Sequence, residues 1–141
     1  MGKKICYLII EDVEERQLLS TAIDETELDY EVIMDRSIER AKERFSRESE
    51  FHPAYVFVDY NIGLLNYIKS FSQFTEVPVV IYTAEINTAE IAEAKKARAA
   101  HCVLKTTHET ALTSILLKLF LNSEDSFVMV SHPEESRGFL R

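Results

Sequence analysis

Short apolar runs alternate with amphipathic stretches along the chain. Ile5 to Ile10 is continuous and rich in β-branched residues, as in a strand buried on both faces. Val13 to Glu25 then carries Leu18, Leu19, Ala22 and Ile23 at helical spacing. Tyr30 to Met34 reads as a second strand. Ser37 to Ser49 reads as a charged helix with Ile38, Ala41 and Phe45 along one side and Ser37 as its N-cap. Ala54 to Val58 predicts a third strand, Leu64 to Phe74 a short helix with Leu64, Leu65, Ile68 and Phe71 inward. Pro78 to Tyr82 predicts a fourth strand and Thr88 to Ala100 an Ala-rich helix. His101 to Leu104 is a short fifth strand, and Thr110 to Leu121 is the last amphipathic helix. The order βαβαβαβαβα predicts an α/β fold, a parallel sheet with helices on both faces. Ligands of such sheets bind beyond the carboxyl ends of the strands. Chemistry is therefore expected in the residues that follow each strand.

Composition narrows the function classes. The 141 residues make one domain, and an apolar share of 46% suits a globular core. Asp and Glu number 24 against 16 Lys and Arg, a net charge of -8, which argues against nucleic acid and anionic membranes as partners. Cys6 and Cys102 sit inside apolar runs without metal or redox spacing, so they read as small buried hydrophobes. The apolar run behind the basic start reaches Glu11-Asp12 too soon for a secretory signal, and none approaches the ~18 residues of a membrane span. A cytoplasmic protein is expected.

The strand ends carry a consistent set of residues. Glu11-Asp12 follows the first strand, Asp59 the third, Thr83-Ala84 the fourth and Lys105 the fifth. As they stand in LIIEDVEERQLL, YVFVDYNI, VPVVIYTAE and VLKTT, these residues resemble the receiver domains of bacterial response regulators, over residues 4 to about 121. The resemblance implies a flavodoxin-like, doubly wound (βα)5 fold with a five-stranded parallel sheet in the order 2-1-3-4-5. It implies a receiver domain over 1–122 with a C-terminal tail over 123–141, in which Phe127 to Val130 is the stretch able to add an edge strand.

The implied chemistry is phosphoryl acceptance on Asp59 from a histidine kinase or phosphotransfer protein. Clustered carboxylates repel, and Mg²⁺ (or Mn²⁺) relieves the repulsion and bridges to phosphate. The resemblance assigns the metal to Glu11, Asp12, Asp59 and the backbone carbonyl of Asn61. Asp59 is also the nucleophile. Lys105 and Thr83 would hold phosphoryl oxygens, with the Ala84 N–H assisting. Thr83 would move inward on phosphorylation and shift the following loop and helix, a change in population between two packings. A signalling module is expected rather than a turnover enzyme, with slow autodephosphorylation only. Its output would be contact with a downstream protein, or a homodimer, through the fourth helix, fifth strand and fifth helix.

Four positions depart from the family pattern. Only 24 positions separate Asp59 from Thr83, so the loop carrying Asn61 or the helix after it is trimmed. Thr106 stands where proline is common, so a cis bond is not expected. Cys102 replaces the aromatic three residues before the lysine, leaving the usual gate to Thr83 absent or supplied otherwise. Arg98 replaces a glycine, so the fourth helix runs on or ends without a glycine cap. The short segment after Asp59 motivates an alternative, a degenerate receiver acting as a phosphorylation-independent binding module. A small phosphatase is a further rival, but Asn61 cannot act as a general acid there.

Overall fold

The computed structural model describes residues 4–48, 50–70, 74–121 and 126–130. Strands β1 (Lys4–Ile9), β2 (Tyr30–Asp35), β3 (Tyr55–Val58), β4 (Val79–Thr83) and β5 (His101–Leu104) alternate with helices α1 (Val13–Glu25), α2 (Ile38–Arg47), α3 (Ile62–Lys69), α4 (Thr88–Lys96) and α5 (Glu109–Phe120). A short β6 (Val128–Met129) closes the series. All pairings are parallel, in the order β2-β1-β3-β4-β5-β6.

Side-chain alternation divides the core into two layers. Cys6, Leu8 and Ile10 join Phe57, Val80, Tyr82 and Val103 beneath α1 and α5, which contribute Leu19, Ile23, Leu112, Ile115 and Leu116. Tyr7, Ile9, Val56, Val58, Val79, Ile81 and Cys102 face the other way, toward Ala41, Phe45, Leu65, Ile68 and Ala94 of α2, α3 and α4. Both layers being filled explains why the central strands read as unbroken apolar runs. Cys6 and Cys102 are buried free thiols, and burial pushes them up to about 12 and about 11, so neither is a ready nucleophile.

Three elements differ from the sequence-based expectation. Among the described residues the sheet has six strands, where five were expected. Phe127 accepts a hydrogen bond at its carbonyl from the Cys102 N–H at 2.8 Å, and Met129 is 3% exposed. This strand extends the sheet into the stretch read as a tail, because β5 otherwise leaves its N–H and C=O groups unpaired at an edge. The remainder of that stretch lies outside the described residues.

Helix α3 is shifted toward Asp59. It starts at Ile62, not Leu64, because the Asn61 side chain caps it by accepting the Leu64 N–H at 2.9 Å. It ends at Lys69 rather than Phe74, and Phe71, expected inward, lies outside the described residues. The Lys69 ammonium turns in to donate to the Val77 carbonyl at 2.7 Å and, at longer range, to those of Thr75 and Phe74. Burial and the charge of Arg98 lower its pKa.

Helix α4 stops at Lys96, short of Ala100. Arg98 adopts φ 71°, with its N–H on the Lys95 carbonyl at 2.9 Å and the Ala99 N–H on the Ala94 carbonyl at 3.0 Å. This is the paired closure that glycine usually makes at a helix end, here made by an arginine. The peptide between Lys105 and Thr106 is trans, as the missing proline predicts.

Candidate functional site

The parallel register sets the carboxyl ends of β1, β3, β4 and β5 side by side. Ile9 pairs with Val58, and Thr83 pairs with Leu104, so Glu11 and Asp59 emerge next to each other, as do Thr83 and Lys105. The Asp59 carboxylate is 38% exposed. One oxygen faces the Lys105 ammonium at 3.3 Å, and the other accepts a long hydrogen bond from the Glu11 N–H at 3.4 Å.

Lys105 does not belong to Asp59 alone. Its ammonium is 2.8 Å from the Glu15 carboxylate and lies over the Tyr82 ring, 5.5 Å from the centroid. Burial works against its charge, but the Glu15 hydrogen bond and the Asp59 charge outweigh it and hold its pKa above the ordinary lysine value. Glu15 is a site residue that the strand-end pattern does not reveal. Its only signal in the sequence is its place in the first turn of the helix that follows Glu11-Asp12, three residues past the cap.

The expected metal ligands are brought together only in part. Glu11, Asp59 and Asn61 line one cavity of about 210 Å³. Asp12 borders a different cleft with Glu14, Glu15, Lys105 and Thr106. The Asp12 carboxylate caps α1 by accepting the Glu15 N–H at 2.9 Å. The Asn61 carbonyl accepts the Leu65 N–H at 2.9 Å, which aims it along α3. Among the described residues, no three His, Cys, Asp or Glu side chains stand as a group able to hold a metal ion. Mg²⁺ is commonly held by one or two carboxylates with its remaining positions filled by water and phosphate. Glu11 and Asp59 fit that demand; Asp12 faces the neighbouring cleft, and the Asn61 carbonyl keeps a second lone pair beside its helix bond.

Thr83 and Ala84 sit at the site's border. The Thr83 hydroxyl donates to the Glu85 carbonyl at 3.3 Å rather than pointing at Asp59, and Ala84 is exposed in the following bend. Tyr60, next to Asp59, lines the cavity mouth and donates its hydroxyl to Glu93 on α4. That bond raises the Tyr60 pKa to about 12. It ties the segment after β3 to α4, where Cys102 stands on β5 in place of an aromatic.

No protein-family model matches the sequence, and no curated protein matches it. Solved structures do. The phosphorylated cyanobacterial phytochrome response regulator RcpA superposes with a TM-score of 0.73 at 20% identity, over 87% of this chain and 97% of that one. Chemotaxis response regulator CheY4 of Vibrio cholerae gives 0.68 at 17% identity, over 84% and 99%. The Mn(2+)-bound form of response regulator Rcp1 gives 0.71 at 17% identity, over 86% and 96%. At these identities the likeness is one of fold. The chain therefore has the flavodoxin-like fold of response-regulator receiver domains, with one strand added at the β5 edge. No helix among the described residues is long and apolar enough to cross a membrane.

Proposed function

We propose that this protein is a phosphoacceptor receiver of a two-component phosphorelay, with Asp59 as the acceptor. The observation that carries the proposal is the Lys105 ammonium at 3.3 Å from a half-exposed Asp59 carboxylate at the carboxyl edge of the sheet. An Asp59 oxygen forms the new P–O bond while the P–N bond of a phosphohistidine donor breaks. The bonding electron pair leaves with the donor imidazole. The donor is a histidine kinase or a phosphotransfer protein.

Positioned charge supplies most of the stabilisation in such transfers. Lys105 meets one phosphoryl oxygen. The Thr83 hydroxyl turns from the Glu85 carbonyl to a second oxygen, with the Ala84 N–H beside it. Glu11 and Asp59 would hold Mg²⁺ or Mn²⁺, which would offset the negative charge of the acceptor and the phosphoryl group. The movement of Thr83 displaces the 84–87 loop and α4, and the Tyr60–Glu93 bond gives the acceptor loop a second connection to that helix. Output is contact with a downstream protein, or with a second copy, through the α4–β5–α5 face, now bordered by β6 along the β5 edge.

The second reading is a phosphorylation-independent binding module. The placement of Asp12 favours it, because that carboxylate borders a different cleft from Glu11, Asp59 and Asn61. One experiment separates the two. Incubation with acetyl phosphate and Mg²⁺, followed by intact mass, should add ~80 Da to the wild type and nothing to Asp59→Asn. A wild type that stays unmodified over hours supports the binding module and defeats the acceptor.

A further inference from the structure

We propose that Arg36, in the turn between β2 and α2, is a phosphoryl-binding residue of this site. The proposal rests on Asp59 being the acceptor. Arg36 lines the same cavity of about 210 Å³ as Asp59, Glu11 and Asn61. It approaches from the β2 side, opposite Lys105 on the β5 side.

Charge requires a second cation here. Glu11 and Asp59 border the cavity, Glu39 adds a third carboxylate from the first turn of α2, and a phosphoryl group adds about two more negative charges. Lys105 is already shared between Glu15 at 2.8 Å and Asp59 at 3.3 Å. With Asp12 bordering the neighbouring cleft, a metal between Glu11 and Asp59 would be held by one carboxylate fewer.

Arg36 is free to respond. Among the described residues it has no hydrogen-bond or ion-pair partner, and its side chain is exposed. The arginines around it are differently disposed. Arg44 is bound to Asp35 and Glu48, and Arg16 donates to the Ile10 and Glu11 carbonyls. Arg40 borders the neighbouring cleft with Arg16 and Arg36 but not the Asp59 cavity. A guanidinium offers paired donors that match two phosphoryl oxygens. Arg36 therefore meets the incoming phosphoryl group from the cavity side of Asp59, while Lys105 meets it from the neighbouring cleft.

The test is modification by acetyl phosphate across a range of donor concentrations, with Mg²⁺ present, followed by intact mass. Arg36→Gln should raise the half-saturating donor concentration about tenfold, and Arg36→Lys should restore only part of that loss, because an ammonium cannot pair with two phosphoryl oxygens at once. Arg40→Gln removes the same charge outside the cavity and should change it less than about twofold. The same order should appear in the affinity for beryllofluoride, a phosphoryl mimic. If Arg36→Gln behaves as Arg40→Gln does, Arg36 is a surface charge only and the proposal is wrong. If the wild type itself takes no adduct, the acceptor assignment fails first and this one fails with it.

Discussion

The Lys105 ammonium lies closer to Glu15 on α1, at 2.8 Å, than to Asp59, at 3.3 Å. The cation expected to serve the acceptor is thus held in the resting state by a second acid from another element. That arrangement keeps the charge placed near Asp59 without tying it there, and a phosphoryl oxygen can draw it across.

Glu15→Gln removes the competing charge while leaving Asp12 its capping contact with the residue's N–H. The Asp59 adduct should form about two- to fivefold faster from acetyl phosphate, the scale of a half-exposed pair. Stability should change by about 1 kcal/mol or less. Time courses of intact mass for the two proteins check this, and a slower variant would make Glu15 a supporting residue rather than a competitor.

Asp35 accepts the Tyr7 hydroxyl at 2.5 Å and Arg44 Nε at 2.7 Å beneath the rim of the same edge. Burial disfavours its charge, yet Arg44 and Tyr7 outweigh burial and hold its pKa below the ordinary carboxylate value of 3.8. A folded-state pKa lowered in this way contributes stability that is complete above the unfolded value. It is lost as pH falls through the folded one. Asp35→Asn should cost about 1–3 kcal/mol at neutral pH. Urea melts of both proteins should show that gap narrowing below pH 3.8; a gap constant down to pH 2 would assign the cost to shape instead of charge.

Arg98 occupies the left-handed region at φ 71°, where a side chain is strained. Arg98→Gly should stabilise the protein by about 1 kcal/mol, less the weak 3.5 Å contact from its guanidinium to the Lys69 carbonyl. Thermal melts should show a higher midpoint. A lower one would mean that the contact to α3 outweighs the backbone strain.

Met129 is the buried residue of β6, set against Leu119, Ile115 and the rest of the α1–α5 layer. Met129→Ala should cost about 2 kcal/mol. Val130→Ala, at a 51% exposed neighbour, should cost little. Equal, negligible losses in urea melts would show that the sixth strand is not part of the cooperative fold.

Much of this was legible in the residues alone. Short unbroken runs such as Cys6 to Ile10 and Val79 to Tyr82, rich in β-branched residues, read as strands covered on both faces. The amphipathic stretches between them are then crossover helices, and Val13–Glu25 falls where periodicity puts it. The placement of Asp59, Lys105, Glu11 and Thr83 along one edge was legible for the same reason: in a parallel sheet the strands end at one edge.

Partnerships across that edge were not legible. Asn61 has the chemistry to offer a carbonyl to a metal or a side chain to a helix, and its side chain caps α3. Asp12 made the same choice at α1. Whether Lys105 meets Glu15 or Asp59, and whether Arg36 faces the acceptor's cavity while Arg40 does not, depends on how helices α1 and α2 settle on the sheet. Local sequence determines which groups exist and which strand end they follow. Only the packing of distant elements decides which charges meet, because electrostatic pairing depends on separations of a few ångströms that no run of neighbouring residues encodes.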